Sequence, residues 1–370
     1  VSKADFSGRE RPDACPGALQ VHEAADGPLA RVRLPGGAVT SAQLTALADG
    51  SAELGAGVIE LTSRANVQVR GLRSPAAFAG RIAAAGLLPS AAHERVRNIV
   101  ASPLGGRRTG LDTQLLVAAL DRELCAVPEL ASLPGRFLFA VDDGTGDVLN
   151  LGADIAWDGR LLLAGVDAGL TASETEAPGL MIAAARAFLA ERTDSWRIAE
   201  LPDGPARIAR RLGGTAGAAP EVPEGRELRA GRITQRDGRV ALSAVVPLGR
   251  LTAAQARMIT GTVRLTPWRT VVLLDLDPAD ADQVEQELTR AGLVTDPASP
   301  WNGVSACTGR PGCAKALADV REDARRWVDT LTAPAPAPVH WSGCERRCGL
   351  PRGRVVQMTA TPAGYHERNP

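Results

Sequence analysis

The sequence predicts an α+β fold built on two copies of one half-unit packed as a pseudo-twofold pair, and three observations carry that reading. Two stretches, Leu29 to Leu88 and Val240 to Val294, repeat each other. Strand-like and helix-like runs alternate within each copy. Four of the six cysteines fall outside both copies, after Trp301.

The repeat is read from its landmarks. Pro35, Gly37, Val39, Thr40 and Gln43 open the first copy, which continues to Leu61-Thr62, Val67 and Val69, then Gly86-Leu87. Pro247, Gly249, Leu251, Thr252 and Gln255 open the second, followed by Leu265-Thr266, Val271 and Leu273, then Gly292-Leu293. Thr40 and Thr252 suit helix N-caps, because a side-chain oxygen there accepts an otherwise unpaired N–H. Val58 to Leu61 and Thr270 to Leu274 are apolar strand runs, and Val284 and Leu288 give helical spacing to Asp280–Ala291. Two copies do not make a solenoid.

Between the copies the pattern predicts strands at Phe137–Val141 and Leu161–Val166 and a helix at Gly179–Glu191. Leu212–Gly225, rich in Gly, Ala and Pro, reads as a linker. A helix over Lys315–Leu331 is expected from the stripe Leu317, Val320, Ala324, Trp327, Val328 and Leu331. The domain boundaries that follow are 18–90, 91–211, 226–296 and 297–370.

With 370 residues, 45% of them hydrophobic, the chain suits two or three domains with sizeable cores. Its 42 basic and 42 acidic side chains leave no excess charge for bulk binding to nucleic acid. No apolar run approaches the roughly 18 residues of a membrane span. Val1 to Arg11 lacks the apolar core of a secretory signal, so a cytoplasmic protein is expected. Lys3 and Lys315 are the only lysines, and the many guanidinium forks suit a polyanionic ligand.

The chemistry gathers at the cysteines. Cys307 and Cys313 are separated by five residues, and Cys344 and Cys348 by three. Four thiolates are what a cubane cluster requires, and Gly309, Gly312, Gly343 and Gly349 lie among them. Structural zinc competes, but the wider spacing exceeds the usual knuckle. Two disulfides compete as well and fit poorly with a chain lacking an export signal. Cys15 and Cys125 read as a turn residue and a core thiol. A second constellation is Arg64, Asn66, Gln68 and Arg70, which share one face if residues 64–70 are extended, with Val67 and Val69 on the other. That face is either a row of donors for carboxylates or the solvated side of an ordinary strand.

Cys307-Thr308-Gly309-Arg310-Pro311-Gly312-Cys313, with Val339 to Cys344 and Cys348, resembles the cluster signature of the sirohaem sulfite and nitrite reductases. Leu61 to Gly71 resembles the macrocycle-binding strand of that superfamily, Arg97 to Pro103 a second binding loop, and Leu133-Pro134-Gly135-Arg136-Phe137 the segment presenting basic side chains to a small anion. The resemblance implies two ferredoxin-like half-domain repeats in pseudo-twofold arrangement plus two α/β nitrite/sulfite reductase 4Fe-4S-type domains. It implies Cys307, Cys313, Cys344 and Cys348 as ligands of a 4Fe-4S cluster. Arg64, Asn66, Gln68, Arg70, Arg97 and Arg136 are implied as contacts to the carboxylates of a macrocycle.

Within the superfamily, Arg11-Pro12-Asp13-Ala14-Cys15-Pro16-Gly17 and the compact length resemble the branch of precorrin-3B synthases. The reductases carry a second basic residue where Leu138 stands. The implied reaction is hydroxylation of precorrin-3A by dioxygen with γ-lactone closure, electrons coming from a donor and an additional non-haem iron taking part. Two alternatives stay open: a sirohaem-dependent sulfite or nitrite reductase, and a non-catalytic tetrapyrrole-binding or redox-sensing iron-sulfur protein. No acid, base or ligand of the second iron is assigned.

Overall fold

In a computed structural model, residues 13, 15–222 and 227–370 are described. The chain divides into two compact units, one of Gly17–Leu88 with Glu227–Pro370 and one of Pro89–Arg226 with Val1–Pro16.

The first copy runs β1 (His22–Ala24), β2 (Gly27–Val32), β3 (Ala38–Val39), α1 (Ser41–Leu54), β4 (Val58–Leu61), β5 (Val67–Val69) and α2 (Pro75–Ala84). The second copy runs β11 (Gly231–Thr234), β12 (Val240–Val245), β13 (Arg250–Thr252), α6 (Ala253–Met258), β14 (Thr262–Leu265), β15 (Thr270–Leu276) and α7 (Pro278–Arg290). Thr40 and Thr252 both cap as expected, and each closes a capping box with Gln43 or Gln255. Each glutamine also donates to the end of the following helix, at the Ala85 or the Ala291 carbonyl.

The copies exchange strands. One sheet has the order β1-β2-β5-β4-β13 and the other β11-β12-β15-β14-β3, so each copy lends its short strand to its mate. A glycine permits each crossing. Gly37 has φ +66, and a Cβ there would lie 1.9 Å from the Leu265 carbonyl oxygen; Gly249, at φ +68, packs on the Arg269 side chain. Between the sheets and helices lies one shared core, with Leu44, Ile59, Val67 and Phe78 from the first copy and Leu242, Val263, Val271 and Leu288 from the second.

The other unit holds β6 (Ile99–Ala101), α3 (Thr113–Ala126), β7 (Phe139–Val141), β8 (Ile155–Trp157), β9 (Arg160–Leu163), β10 (Val166–Thr171), α4 (Ala177–Glu191) and α5 (Gly204–Arg211). β6, β7 and β8 are parallel and buried throughout, hence their uninterrupted apolar sequence. Leu161–Val166 is not one strand, since Ala164 and Gly165 take positive φ and turn the chain between β9 and β10. The expected linker is also corrected at its start. Gly217 donates to the Asp167 carbonyl and Asp167 to that of Ala218, a backbone approach that Gly169 and Gly214 allow by lacking side chains.

The C-terminal segment of the first unit forms β16 (Val304–Ala306), α8 (Val320–Val328), β17 (Val339–Ser342), β18 (Val356–Thr361) and β19 (Gly364–Arg368). β16, β17 and β18 are parallel and β19 closes the sheet antiparallel. Trp341 packs there on Trp327 and Tyr365. The expected helix over Lys315–Leu331 is shorter than its stripe. Ala316 and Leu317 give their N–H groups to the carbonyls of Cys313 and Gly343, so the helix starts only where the Asp319 side chain caps Glu322. Its N-terminus therefore does not follow Cys313 directly.

Candidate functional site

The parallel pairing of β16 and β17 brings the two cysteine segments together. Ala306 is in register with Trp341, so Cys307 leaves the C-terminal end of one strand beside the end of the other, which leads to Cys344. Loops at that end of parallel strands are the usual place for a ligand. Cys307 N–H donates to the Trp341 carbonyl at 2.9 Å, and Gly343 N–H donates to the Cys307 sulfur at 3.1 Å. Burial pushes the Cys307 thiol up; the Gly343 and Gly309 N–H groups oppose this, and charge on Cys313 and Cys344 adds to it. Cys348 is pushed up by burial of its sulfur and by Cys307 and Cys344, with Cys313 adding to the effect. The four sulfurs therefore share one electrostatic neighbourhood.

The glycines around them are tightly enclosed. A Cβ would lie 2.8 Å from Val320 at Gly309 and 2.7 Å from Ala316 at Gly343. His340 lies beside this region with both ring nitrogens engaged, Nδ1 with the Ser305 hydroxyl at 2.8 Å and Nε2 with the Cys348 carbonyl at 3.2 Å. Burial, with Arg269 nearby, pulls its pKa down to about 3. The ring is neutral, donating from Nε2 to the carbonyl and accepting at Nδ1.

The expected donor row is altered at both ends. Only Val67–Val69 is strand, and Arg64 is half-buried in the turn before it, so strict alternation does not reach Arg64. Asn66 is 1% exposed and accepts from Leu34 N–H at 2.9 Å, which ties it to the fold. Gln68 lies in a row running across four strands, Arg31, Gln68, Glu60 and Arg250. Its amide accepts from Arg31 and donates to Glu60, whose other oxygen takes Arg321 of α8 at 2.5 Å. Arg70 is committed to Asp26 through two bonds of 2.8 and 2.7 Å and to the Gly312 carbonyl at 2.9 Å. Burial lowers the Arg70 pKa, but the bond to Asp26 and the charges of Glu60, Asp26 and Cys313 leave it raised.

In the other unit, Arg97 is 5% exposed and grips both oxygens of Asp121 at 2.7 Å, so its guanidinium does not stand open to a ligand. Arg136 is exposed, its guanidinium 5.3 Å from the centre of the Trp196 ring. Leu138, two residues on, is 2% exposed and donates its N–H to Asp154. Asp13 and Cys15 of the N-terminal motif pack against Gly135, with Gly135 N–H donating to Asp13. Arg11, Pro12 and Ala14 of that motif lie outside the described residues. Cys125 is half-buried against the core, and its thiol is pushed up by burial.

The sequence pattern of the nitrite/sulfite reductase ferredoxin-like half domain matches residues 22–77 and 233–291, the two strand-exchanging copies. Outside these two copies the likeness rests on whole-chain relatives of low identity, so what the chain shares with nitrite and sulfite reductases is this pair of half domains and the fold. The chain is 29% identical to a ferredoxin–nitrite reductase of Synechococcus elongatus over 88% of this chain and 74% of that protein. It is 26% identical to a precorrin-3B synthase of Sinorhizobium sp over 96% of this chain and 82% of the relative. The NirA protein of Mycobacterium tuberculosis shares the fold with a TM-score of 0.74 at 22% identity, over 92% of this chain and 73% of that one. These likenesses support an enzyme.

An iron-sulfur cluster is compatible with the chemistry of the cysteine set. Gathered thiolates repel one another and need a cationic core, and each corner of a cubane is ligated separately, so the sulfurs need not converge on one point. No group of three or more His, Cys, Asp or Glu among the described residues is placed to hold a single metal ion. The implied non-haem iron thus has no ligand set among those residues. Sequence reasoning missed Asp26, Glu60, Arg269 and Arg321 around the cysteine site. Glu60 carried a signal, being a lone acid in the apolar run Val58–Leu61.

Proposed function

We propose that the chain is a precorrin-3B synthase, an oxidoreductase that uses dioxygen to hydroxylate precorrin-3A with γ-lactone formation. The observation that carries the choice is Leu138. Reductases of small anions resemble this chain in the Leu-Pro motif but follow the phenylalanine with a second basic residue. Here that position is a buried leucine, which offers no cation. The match to a precorrin-3B synthase over 96% of the chain supports the same reading.

In this reading Cys307, Cys313, Cys344 and Cys348 hold a 4Fe-4S cluster, which supplies single electrons received from a donor. Arg64 binds a carboxylate of the macrocycle from the hairpin turn, and Arg136 is assigned to carboxylates in its own unit. Asn66 and Gln68 shape the strand behind Arg64 through the bonds they already make, and Arg97 braces the loop it begins by pairing with Asp121. Fixing the macrocycle by its acidic fringe orients the carbon that reacts, a positional contribution to rate. A sirohaem-dependent nitrite or sulfite reductase is the second reading, favoured by the Synechococcus relative.

One preparation separates the two. Anaerobically purified protein should contain iron and sulfide without stoichiometric sirohaem absorption, and should consume oxygen only when precorrin-3A and a reductant are both present. Stoichiometric sirohaem in that protein would overturn the proposal in favour of the reductase.

A further inference from the structure

We infer that Arg70 and Arg269 are positioning residues of the cysteine site, one from each half-unit, each bracketing one of the two cysteine loops by its backbone. The inference rests on the cluster-binding part of the proposed function. Arg70 donates to the carbonyl of Gly312, directly before Cys313, and Arg269 donates to the carbonyl of Gly349, directly after Cys348. Both bonds are 2.9 Å. Gly312 is tightly enclosed, a Cβ there lying 2.9 Å from Asp26, whereas at Gly349 a Cβ would meet the Arg269 guanidinium at an ordinary contact distance of 3.4 Å.

The repeat supplies an internal control for each arginine. The turn holding Arg269 at φ +62 is matched in the first copy by a turn holding Ala65 at φ +56. The same turn therefore forms without a guanidinium. Arg269 is 7% exposed, and among the described residues no carboxylate pairs with it. A buried cation on a left-handed residue carries two costs that the turn itself does not require. The position matching Arg70 is Leu274, 3% exposed, so the strand does not require an arginine there either. Each arginine stands where the other copy is apolar. What breaks the symmetry is the single pair of cysteine loops.

The two brackets differ in their electrostatics. Arg70 is close enough to Cys313 for that thiolate to favour its charge. Arg269 donates to the loop backbone and lies near His340, whose ring it helps keep neutral. Both should therefore hold the loops, and loss of either cation should lower the cluster's potential, Arg269 because no carboxylate offsets it among the described residues.

The test uses the full chain carrying its reconstituted cluster. Iron and sulfide are measured first in the wild type, whose failure to incorporate them would overturn both the cluster reading and this inference. Arg70→Gln and Arg269→Gln should each release iron to a chelator about tenfold faster or more, as loss of an outer-shell partner typically does, with the apoprotein melting point unchanged. Arg70→Gln and Arg269→Gln should each also lower the reduction potential, and Arg70→Lys and Arg269→Lys, which keep the charge, should restore it. Should Arg70→Gln fail to fold, Asp26→Asn loosens the same fork with Arg70 in place and should accelerate iron release likewise. Wild-type release rates in both glutamine variants, or rates that only follow a lowered melting point, would overturn the inference while leaving the cluster reading intact.

Discussion

Asp147 shows what a single residue can add. Burial pushes its carboxyl up to about 7, with Asp142 and Asp143 adding to the shift against the bond from Ser102. A carboxyl that takes up a proton on folding stabilises the folded chain fully below its unfolded value of 3.8, and the contribution is lost as pH rises through about 7. Most of that loss falls between pH 4 and 7 and amounts to about 3 kcal/mol. Asp147→Asn, which stays neutral, should remove this slope, so the wild-type minus variant difference in melting temperature should change steadily across that window. A constant difference would place the proton elsewhere. Residue type alone could not reveal such partners. Arg70 and Arg97 were legible as cations, but Asp26 and Asp121, which occupy them, lie far enough along the chain that only the folded register brings them close.

At the scale of elements, the repeat, its capping threonines and the strand runs were legible because they are set by local periodicity and local hydrogen bonds. Strand exchange was not, since the sequence of β3 or β13 does not say whose sheet it joins. The expected helix at Lys315 failed for a related reason. Its apolar spacing continued while the N–H groups at residues 316 and 317 were drawn to loop carbonyls. Gly37 tests the exchange. Gly37→Ala puts a Cβ 1.9 Å from the Leu265 carbonyl, whereas at Gly57, φ +74, a Cβ meets nothing within 4 Å. Gly57→Ala should cost only the left-handed penalty of about 1 to 2 kcal/mol. Gly37→Ala should cost clearly more in denaturant unfolding, because β3 must also leave β14. Equal midpoints would mean that the crossing is not tight.

For the whole molecule, the question is why a pseudo-twofold body should carry one site. In the first sheet the row Arg31, Gln68, Glu60 and Arg250 is charged and takes Arg321 from α8. Its counterpart, Ser243, Val272, Arg264 and Ala38, keeps a single charge and is buried around Val272 and Ser243. The turn that presents Arg64 in the first copy presents Trp268 in the second, with Pro267 before it. The guanidinium of the second turn is Arg269, committed to the Gly349 carbonyl, so only the first copy presents one at the Arg64 position, and among the described residues only one pair of cysteine loops exists to be bracketed. An acid-fringed macrocycle such as uroporphyrin should therefore bind with a stoichiometry of one per chain in a calorimetric titration. Arg64→Ala should weaken it by about 1.5 to 3 kcal/mol, the range for a hydrogen bond to a charged group, and leave iron and sulfide content unchanged. Two equivalent sites, or affinity indifferent to Arg64, would mean that the asymmetry serves the cysteine loops alone.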